Sequence, residues 1–225
     1  MHTEVLRQAP LFRGLDDEAA AALSSAMVEN RLVRGEVVFR EGDRGDQLYV
    51  VTDGKVKLGR TSADGRENLL AILGPGQMFG ELSLFDPGPR SATVTAVTDC
   101  TMSSLSNDEL GRWLDGRPEV ARGLLAQLAG RLRRANDVVA DLVFSDVPGR
   151  VAKALLELSS RFGRRADDGV HVHHDLTQEE LAQLVGASRE TVNKALADFA
   201  SRGWLRLEGR SVVLIDVERL RRRAR

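Results

Sequence analysis

Two short stretches of this sequence combine residue types that could bind an anion. Gly80 has no Cβ and lets the backbone approach a ligand, and the successive N–H groups from Gly80 to Ser83 open a short helical turn. Arg90 can neutralise a phosphodiester through its planar guanidinium, and Ser91 can donate a further hydrogen bond. Together these groups predict a phosphate site. The alternative is a ligand-free loop in which Glu81 and Arg90 form a salt bridge.

A further distinctive stretch, separate from these two, lies between residues 176 and 196. Thr177, with Glu180 three residues later, forms a capping box that predicts a helix starting at the next residue. Gly186 permits a tight turn, and Ser188 caps a second helix. Helix, short turn and helix form the helix-turn-helix of DNA-reading proteins. An ordinary helical hairpin, or a packing element without a ligand, is the alternative.

The polar side chains between residues 177 and 194 are suited to contacts with DNA. Arginine pairs with guanine and glutamate accepts from cytosine in the major groove, which the first turn of the second helix would enter. The residues predicted to read bases are Arg189, Glu190, Asn193 and Lys194. The residues predicted to contact phosphates, which position a protein without specifying sequence, are Thr177, Gln178 and Ser188. A hairpin over residues 204–215 completes a winged helix-turn-helix.

The elements that must position these groups follow from periodicity. Apolar and polar residues alternate between about residues 32 and 106, and Gly or Asp-Gly turns recur at a spacing of roughly ten residues, which predicts an antiparallel β-roll. Beyond residue 107 the period is helical. The predicted fold class is α+β: an N-terminal antiparallel, jelly-roll-like β-roll, a long helix, and a C-terminal winged helix-turn-helix that begins with a helix over 149–162, a charged loop over 163–168 and a strand over 170–174.

The long helix is predicted to run from Pro118, a residue favoured at the first helical position, to about Phe144. Apolar residues recur along it at alternating intervals of four and three residues for about three heptads, which is the pattern of a coiled-coil seam. The seam residues are Ala121, Leu125, Leu128, Leu132, Ala135, Val139 and Leu142. The pattern favours a parallel homodimer. The alternative is a helix packed on its own β-roll through Val120, Leu124 and Val143.

The run over residues 145–149 ends the long helix and is predicted to serve as a hinge, because a residue before proline is pushed out of the α region. The predicted domains are a β-roll over 1–116, a dimerisation helix over 117–144, a hinge over 145–148 and a DNA-binding domain over 149–225.

Charge is unevenly distributed over the 225 residues. Residues 1–146 carry 17 Lys and Arg against 22 Asp and Glu, whereas residues 147–225 carry 15 against 11, so the net charge of −1 conceals an acidic front and a basic back. No apolar run is long enough to span a membrane, and the N-terminus has no signal-peptide core, so we expect a cytoplasmic protein with no membrane partner. Cys100, the single cysteine, cannot form an internal disulfide.

The order of elements and three motifs resemble the cyclic AMP receptor protein family, the CRP/FNR regulators, over essentially the whole chain. The motifs are Phe79-Gly80-Glu81-Leu82-Ser83 followed by Arg90-Ser91-Ala92, the junction Asp146-Val-Pro-Gly-Arg150, and Val185-Gly-Ala-Ser-Arg-Glu-Thr-Val192. The resemblance implies that the first motif is the phosphate-binding cassette of that family. It also implies that Glu81 accepts a hydrogen bond from a ribose 2′-hydroxyl.

The resemblance implies, in addition, that the long helix holds the purine. The matching positions are Arg131, Ala135 and Asn136, with Asn136 reaching the nucleotide of the opposite subunit. Ala135 departs from the family pattern, in which a threonine would bond the purine amino group, and loss of such a bond costs about 0.5–1.5 kcal/mol. Cyclic AMP is the expected effector, ahead of cyclic GMP, another effector, or DNA binding without ligand.

The activity implied by the resemblance is regulation of transcription at a palindromic site with GTGA-like half-sites. Arg189 would contact guanine and Glu190 cytosine, with Lys194 in support. The exposed loop over 163–169 is a candidate contact for RNA polymerase. The arginine-rich C-terminus over 219–225 fits either a DNA contact or a solvated helix end.

Other classes of protein fit less well. An enzyme regulated by a nucleotide domain would need a catalytic module, for which the chain leaves no residues, so we do not expect an enzyme. An architectural dimer that coats DNA without sequence preference is a further alternative. One cysteine is too few for an iron–sulfur cluster, and His2 is the single histidine of the front half, so no haem-ligand set is evident. His171 and His173 lack the spacing of a helical metal site, and no metal is expected.

Overall fold

The structure is a computed structural model that describes residues 2–62, 64–86 and 88–225. The chain forms two compact units, one of residues 1–61 and 70–134 and the other of residues 62–69 and 135–225. In the described ranges, no helix is long and apolar enough to cross a membrane.

The first unit contains the antiparallel strands that the alternating pattern predicts, apart from residues 67–69 of the fifth strand, which the division assigns to the second unit. The strands are β1 (Val28–Leu32), β2 (Val37–Phe39), β3 (Gln47–Asp53), β4 (Val56–Thr61), β5 (Glu67–Leu73), β6 (Met78–Phe79), β7 (Thr93–Ala96) and β8 (Cys100–Ser106). They form two four-stranded sheets, in the orders β1-β8-β3-β6 and β2-β7-β4-β5. The predicted β-roll is confirmed.

The core of the first unit follows from the alternation of side chains along each strand. Because successive residues of a strand point to opposite faces, the neighbours Val50 and Val51 of β3 enter different apolar clusters. Val50 packs with Leu105 of β8, and Val51 packs with Phe79. Cys100 is buried in the second cluster, where burial raises the pKa of its thiol to about 11.

Most helices of the first unit contribute apolar residues to the cluster that contains Val50. The helices of this unit are α1 (His2–Leu6), a 3₁₀ turn (Pro10–Phe12), α2 (Asp17–Ala26), α3 (Leu82–Phe85), α4 (Asn107–Leu114) and the first part of α5 (Pro118–Phe144), which continues into the second unit. The predicted bounds of the long helix are confirmed. Val120 and Leu124 are fully buried in the core, but Val143 is exposed, so it does not pack as the alternative reading of this helix proposed.

The predicted seam of α5 lies largely on the surface of the single chain. Four of its members are between 53% and 64% exposed; these are Leu125, Leu132, Val139 and Leu142. Ala121 and Leu128 are half-buried, and Ala135 is exposed. An apolar stripe of this length is typical of a surface that another helix covers.

The second unit has the predicted winged helix-turn-helix. Its elements are α6 (Val147–Phe162), β9 (Gly163–Ala166), β10 (Gly169–His173), α7 (Gln178–Val185), α8 (Arg189–Ser201), β11 (Leu205–Glu208), β12 (Ser211–Leu214) and α9 (Val217–Arg223). The four strands form one antiparallel sheet in the order β11-β12-β10-β9.

The break after α5 is shorter than predicted, because α6 begins at Val147 and not at Gly149. Asp146 caps the new helix by accepting a hydrogen bond of 3.0 Å from the Gly149 N–H. Pro148 lies in the first turn, where a missing N–H costs nothing. Only Ser145 and Asp146 therefore separate the two helices.

The predicted loop over 163–168 is wrong, since most of it is strand β9. Arg164 of β9 lies opposite His171 of β10, and β9 forms the edge of the sheet. All four β9 residues are exposed, so the strand shows no apolar alternation by which it could be recognised. In the helix-turn-helix core, Leu184 is half-buried and its neighbour Val185 is buried.

Candidate functional site

A cleft of about 390 Å³, counted to its open mouth, lies in the first unit. It is lined by Phe39, Leu58, Phe79, Gly80, Leu82, Ser83, Pro89, Arg90, Ser91, Ala92, Val94 and Arg131. The structure thus brings the two predicted anion-binding stretches together around one cavity.

Arg90 is the buried cation of this cleft, with 5% of its surface exposed. Its Nη1 donates to the Gly80 carbonyl oxygen at 3.0 Å and its Nη2 to the Gln47 carbonyl oxygen at 2.8 Å. The guanidinium carbon lies 4.1 Å from the centre of the Phe39 ring, a cation–π contact. Burial lowers the pKa of the guanidinium. The buried Nε finds no acceptor among the described residues, so the group retains a donor for an anion.

Gly80 is required at its position by both conformation and space. Its φ is +83°, in the left-handed region that favours glycine. A Cβ there would lie 2.9 Å from Arg90 Nη1 and 2.9 Å from the Gln47 carbonyl oxygen. Ser83 supports the turn by donating a hydrogen bond of 3.1 Å to the Gly80 carbonyl oxygen. Arg90 thus approaches the backbone at Gly80 closely, and the approach of this backbone to an anion stays a prediction.

Glu81 is fully buried and forms an ion pair with Arg131 of α5, at 2.7 Å between Oε1 and Nη1. Its ion-pair partner is therefore Arg131, whereas the ligand-free alternative paired it with Arg90. Arg131 also donates to the Met78 carbonyl oxygen. Burial raises the pKa of the Glu81 carboxyl and lowers that of Arg131, and each charge partly offsets the shift of the other.

The Glu81 carboxylate keeps capacity to accept hydrogen bonds. Within the described ranges, neither of its buried oxygens has a hydrogen-bond donor in good geometry. A buried acceptor of this kind is costly unless a ligand or water satisfies it. Glu81 does not itself line the cleft, but its neighbours Gly80 and Leu82 do, so this acceptor lies next to the lining in the sequence.

Four lining residues were not predicted: Phe39, Leu58, Pro89 and Val94. Phe39, Leu58 and Val94 lie on β2, β4 and β7, and the apolar alternation along these strands could have assigned them to the inward face. Ala135 and Asn136 are exposed residues of the second unit, and the lining residues of the cleft all belong to the first. The purine-binding roles of Ala135 and Asn136 stay a prediction.

The second candidate site is the exposed start of α8. Gly186 ends α7 in the left-handed conformation, at φ +70°, and Ser188 caps α8 by accepting from the Thr191 N–H at 3.2 Å. Arg189 is exposed and has no bonded partner among the described residues. Glu190 and Lys194, one turn apart, form an exposed ion pair of 2.6 Å. Arg189, Glu190 and Lys194 thus lie together on the surface.

The residues predicted to contact phosphate differ in exposure and in whether their side chains already form hydrogen bonds. The Thr177 hydroxyl donates to Glu180 Oε2 at 3.0 Å and accepts from the Glu180 N–H at 3.1 Å, so the predicted capping box is present. Gln178 is half-buried, and Ser188 is exposed. Asn193, which is predicted to read a base, is half-buried as well. A phosphate bound by Thr177 would have to share a hydroxyl that already serves the cap. The roles of these residues toward DNA stay predictions.

Among the described residues, no cluster of three His, Cys, Asp or Glu side chains is arranged to hold a metal ion. His171 lies instead against Asp168, with 2.6 Å between Nε2 and Oδ1, and Asp168 also accepts from Arg206. These two partners, Arg206 first, lower the pKa of Asp168 to about 2.

Comparison with known proteins identifies both halves of the chain. Residues 29–117 match the family model of the cyclic nucleotide-binding domain, and residues 149–223 match that of the Crp-like helix-turn-helix domain. The chain is 57% identical over 222 residues, 99% of either chain, to the CRP-like cAMP-activated global transcriptional regulator of Mycobacterium tuberculosis. It is 39% identical over 202 residues, 90% of either chain, to the cyclic AMP receptor protein of Thermus thermophilus.

Solved structures agree with these matches. The catabolite activator protein of Thermus thermophilus superposes with a TM-score of 0.56 at 38% identity, covering 96% of this chain and 98% of that one. The c-di-GMP responsive global regulator CLP of Xanthomonas campestris superposes with a TM-score of 0.77 at 28% identity, covering 88% of this chain and 99% of that one.

Proposed function

Because this chain belongs to the CRP/FNR family of transcription regulators, we propose that it is a homodimer that binds cyclic AMP and recognises a palindromic, GTGA-like operator. The observation that carries the proposal is the cleft, which is lined by the buried Arg90 and by Gly80 and Leu82, the neighbours of the buried Glu81, within one cyclic nucleotide-binding domain. Arg90 would take the cyclic phosphate, and Glu81 would accept from the ribose 2′-hydroxyl.

Cyclic AMP is the proposed effector because the relatives of 57% and 39% identity are named for it. Ala135 removes one hydroxyl from the proposed purine contacts, which weakens the preference for adenine over guanine. A different effector is the second candidate, since a related structure is described as c-di-GMP responsive.

The proposed dimer uses the exposed stripe of α5. Its four largest members are more than half exposed in the single chain, although leucine and valine favour burial. In the dimer, each nucleotide would favour one arrangement of the two long helices, and would thereby raise the population in which the two α8 helices are one DNA turn apart.

Three further statements complete the proposal. The β9–β10 hairpin is a candidate contact for RNA polymerase, because the four residues of β9 are all exposed and include Arg164 and Arg165. The chain is not an enzyme, since its two matched domains serve ligand binding and DNA binding. It acts in the cytoplasm, where its proposed DNA partner is found.

Isothermal titration calorimetry with cyclic AMP and cyclic GMP tests the effector. We expect the protein to bind cyclic AMP more tightly, and Arg90→Ala to bind at least about tenfold more weakly, since hydrogen bonds to charged groups contribute about 1.5–3 kcal/mol. Arg34→Ala, which removes an exposed arginine of the first unit, is the control and should bind normally. Unchanged affinity in Arg90→Ala would refute the site, and tighter binding of cyclic GMP would refute the effector.

A DNA titration by fluorescence anisotropy tests the regulator. Addition of cyclic AMP should raise the affinity for a duplex with two GTGA-like half-sites and leave the affinity for a scrambled duplex nearly unchanged. Equal affinity for the two duplexes at every nucleotide concentration would favour the architectural alternative.

A further inference from the structure

The guanidinium of Arg150 lies at the junction between the long helix and the DNA-binding domain, where it donates to three backbone carbonyl oxygens from two separate segments. Its Nη1 donates to Ser145, the first residue after α5, at 2.8 Å. Its Nε and Nη2 donate to Val185 and Gly186 at the end of α7, each at 3.2 Å. We call these four residues the Arg150 bridge.

The acceptors of the Arg150 bridge lie at or directly after the ends of two helices. The last carbonyl groups of a helix have no N–H within that helix to bond them, and α5 and α7 both end at this place. The arginine side chain offers several N–H donors in a rigid planar fork, so one residue can serve both helix ends at once. A lysine ammonium is a compact charge without that fork and cannot hold the same three oxygens.

Neighbouring contacts hold the same pair of elements. Lys153 of α6 forms an ion pair of 2.5 Å with Asp141 of α5. A Cβ placed on Gly186 would lie 3.4 Å from Leu142 Cδ2, so the end of α5 is in close contact with the turn before α8. Asp146 caps α6 and also pairs with Arg223 of α9. The two-residue break is therefore braced from several sides.

From this geometry we propose that Arg150 is a positioning residue for DNA reading. It fixes the turn at Gly186 relative to the last residues of α5, and α8 begins three residues after that turn. The end of α5 carries the seam residues Val139 and Leu142, so in the proposed dimer the bridge sets the separation of the two reading helices. The inference rests on the proposed function, because it presupposes a dimer that reads two half-sites.

A series of operators that differ only in half-site spacing tests this role. The affinity of the full-length protein is measured by fluorescence anisotropy for three GTGA-like palindromes. In one, the centres of the half-sites lie one DNA turn apart, and in the other two the spacer is longer or shorter by one base pair. Two bound half-sites demand one fixed separation, so we expect a preference for a single spacing of about tenfold or more, which corresponds to about 1.4 kcal/mol. Arg150→Ala should reduce that preference to less than about threefold, and Arg150→Lys should give an intermediate value.

The ratio of the affinities for the different spacings distinguishes a loss of positioning from a loss of stability. A variant that merely lowers the folded fraction loses affinity for all spacings equally, and its ratio stays that of the unmodified protein. Arg150→Gln, which keeps a neutral donor, provides a second variant should the alanine variant fold poorly, and it should also lose the preference. Arg34→Ala controls for the loss of one positive charge and should keep it.

The outcomes distinguish this inference from the proposed function. If the unmodified protein prefers one spacing and the folded Arg150 variants keep that preference, the positioning role is wrong and the proposed function stands. If the unmodified protein prefers no palindrome over scrambled DNA, the proposed function is wrong and the inference falls with it.

Discussion

At the scale of single residues, the two arginines that line the cleft, Arg90 and Arg131, have different roles. Arg90 bonds backbone carbonyl oxygens and keeps Nε for a ligand, whereas Arg131 is committed to Glu81 and to Met78. An anion entering the cleft therefore meets Arg90 as its principal cation. Arg131 instead connects the cassette to α5 through its ion pair with Glu81.

The raised pKa of Glu81 predicts a pH-dependent stability. Burial disfavours the ionised carboxylate in the folded state, so its favourable contribution is complete below the ordinary pKa of 4.5 and is lost as pH rises through the folded value. Glu81→Gln cannot ionise, and its melting temperature relative to the unmodified protein should increase as pH rises above 4.5. Calorimetric melting of both proteins from acid to neutral pH checks this. A difference that shrinks with rising pH would mean that Arg131 dominates and holds the pKa below its ordinary value.

Arg189 carries the prediction for base reading. Its exposed guanidinium has no bonded partner within the described part of the chain, so its removal should not disturb the fold. Each bidentate arginine–guanine pair contributes about 1–3 kcal/mol of discrimination, so Arg189→Ala should lose about 5- to 150-fold in specific affinity. Competition anisotropy with operator and scrambled DNA measures both affinities, with Arg34→Ala as the matched loss of charge. Equal losses for the two DNAs would contradict a base-reading role.

At the scale of elements, the stripe along α5 supports a prediction about assembly. Leu132 is 64% exposed in the single chain, so replacing it does not open a cavity in the core. Leu132→Asp would place two like charges against each other in an apolar seam, at the cost of burying them. We expect a folded monomer, detected by light scattering on a sizing column.

The neighbouring position provides the control for the seam. Arg133 is exposed and lies beside Leu132 outside the 4 and 3 spacing, so Arg133→Ala should remain a dimer. A Leu132→Asp protein that keeps the mass of two chains would show that the seam lies on another face of α5.

Elements with a strong local pattern were predictable, and contacts between distant residues were not. The bounds of α5 follow from Pro118 and its heptads, and the start of α7 follows from its capping box. Strand β9 was missed because Arg164 and Arg165 at a sheet edge have no apolar period. The Glu81–Arg131 ion pair and the Arg150 bridge join residues at least 35 positions apart, or use backbone oxygens that carry no sequence signal.

At the scale of the whole molecule, the uneven charge supports the proposal that two subunits bind DNA together. Residues 147–225 exceed neutrality by only four positive charges, which is modest for a DNA-binding domain, and residues 1–146 carry a net charge of −5. A single domain would bind DNA weakly, whereas two linked domains gain from effective concentration when their separation matches the DNA. Control of that separation is therefore control of affinity.

The buried Cys100 has a practical consequence for watching this protein at work. It is the single cysteine of the chain, it is 4% exposed, and its pKa of about 11 leaves almost no thiolate at neutral pH. A maleimide dye would leave Cys100 unlabelled and would react with a cysteine introduced at the exposed Ala197 of α8. The reading helix could thus carry a single fluorophore in an otherwise native chain, and its approach to DNA could be followed in real time.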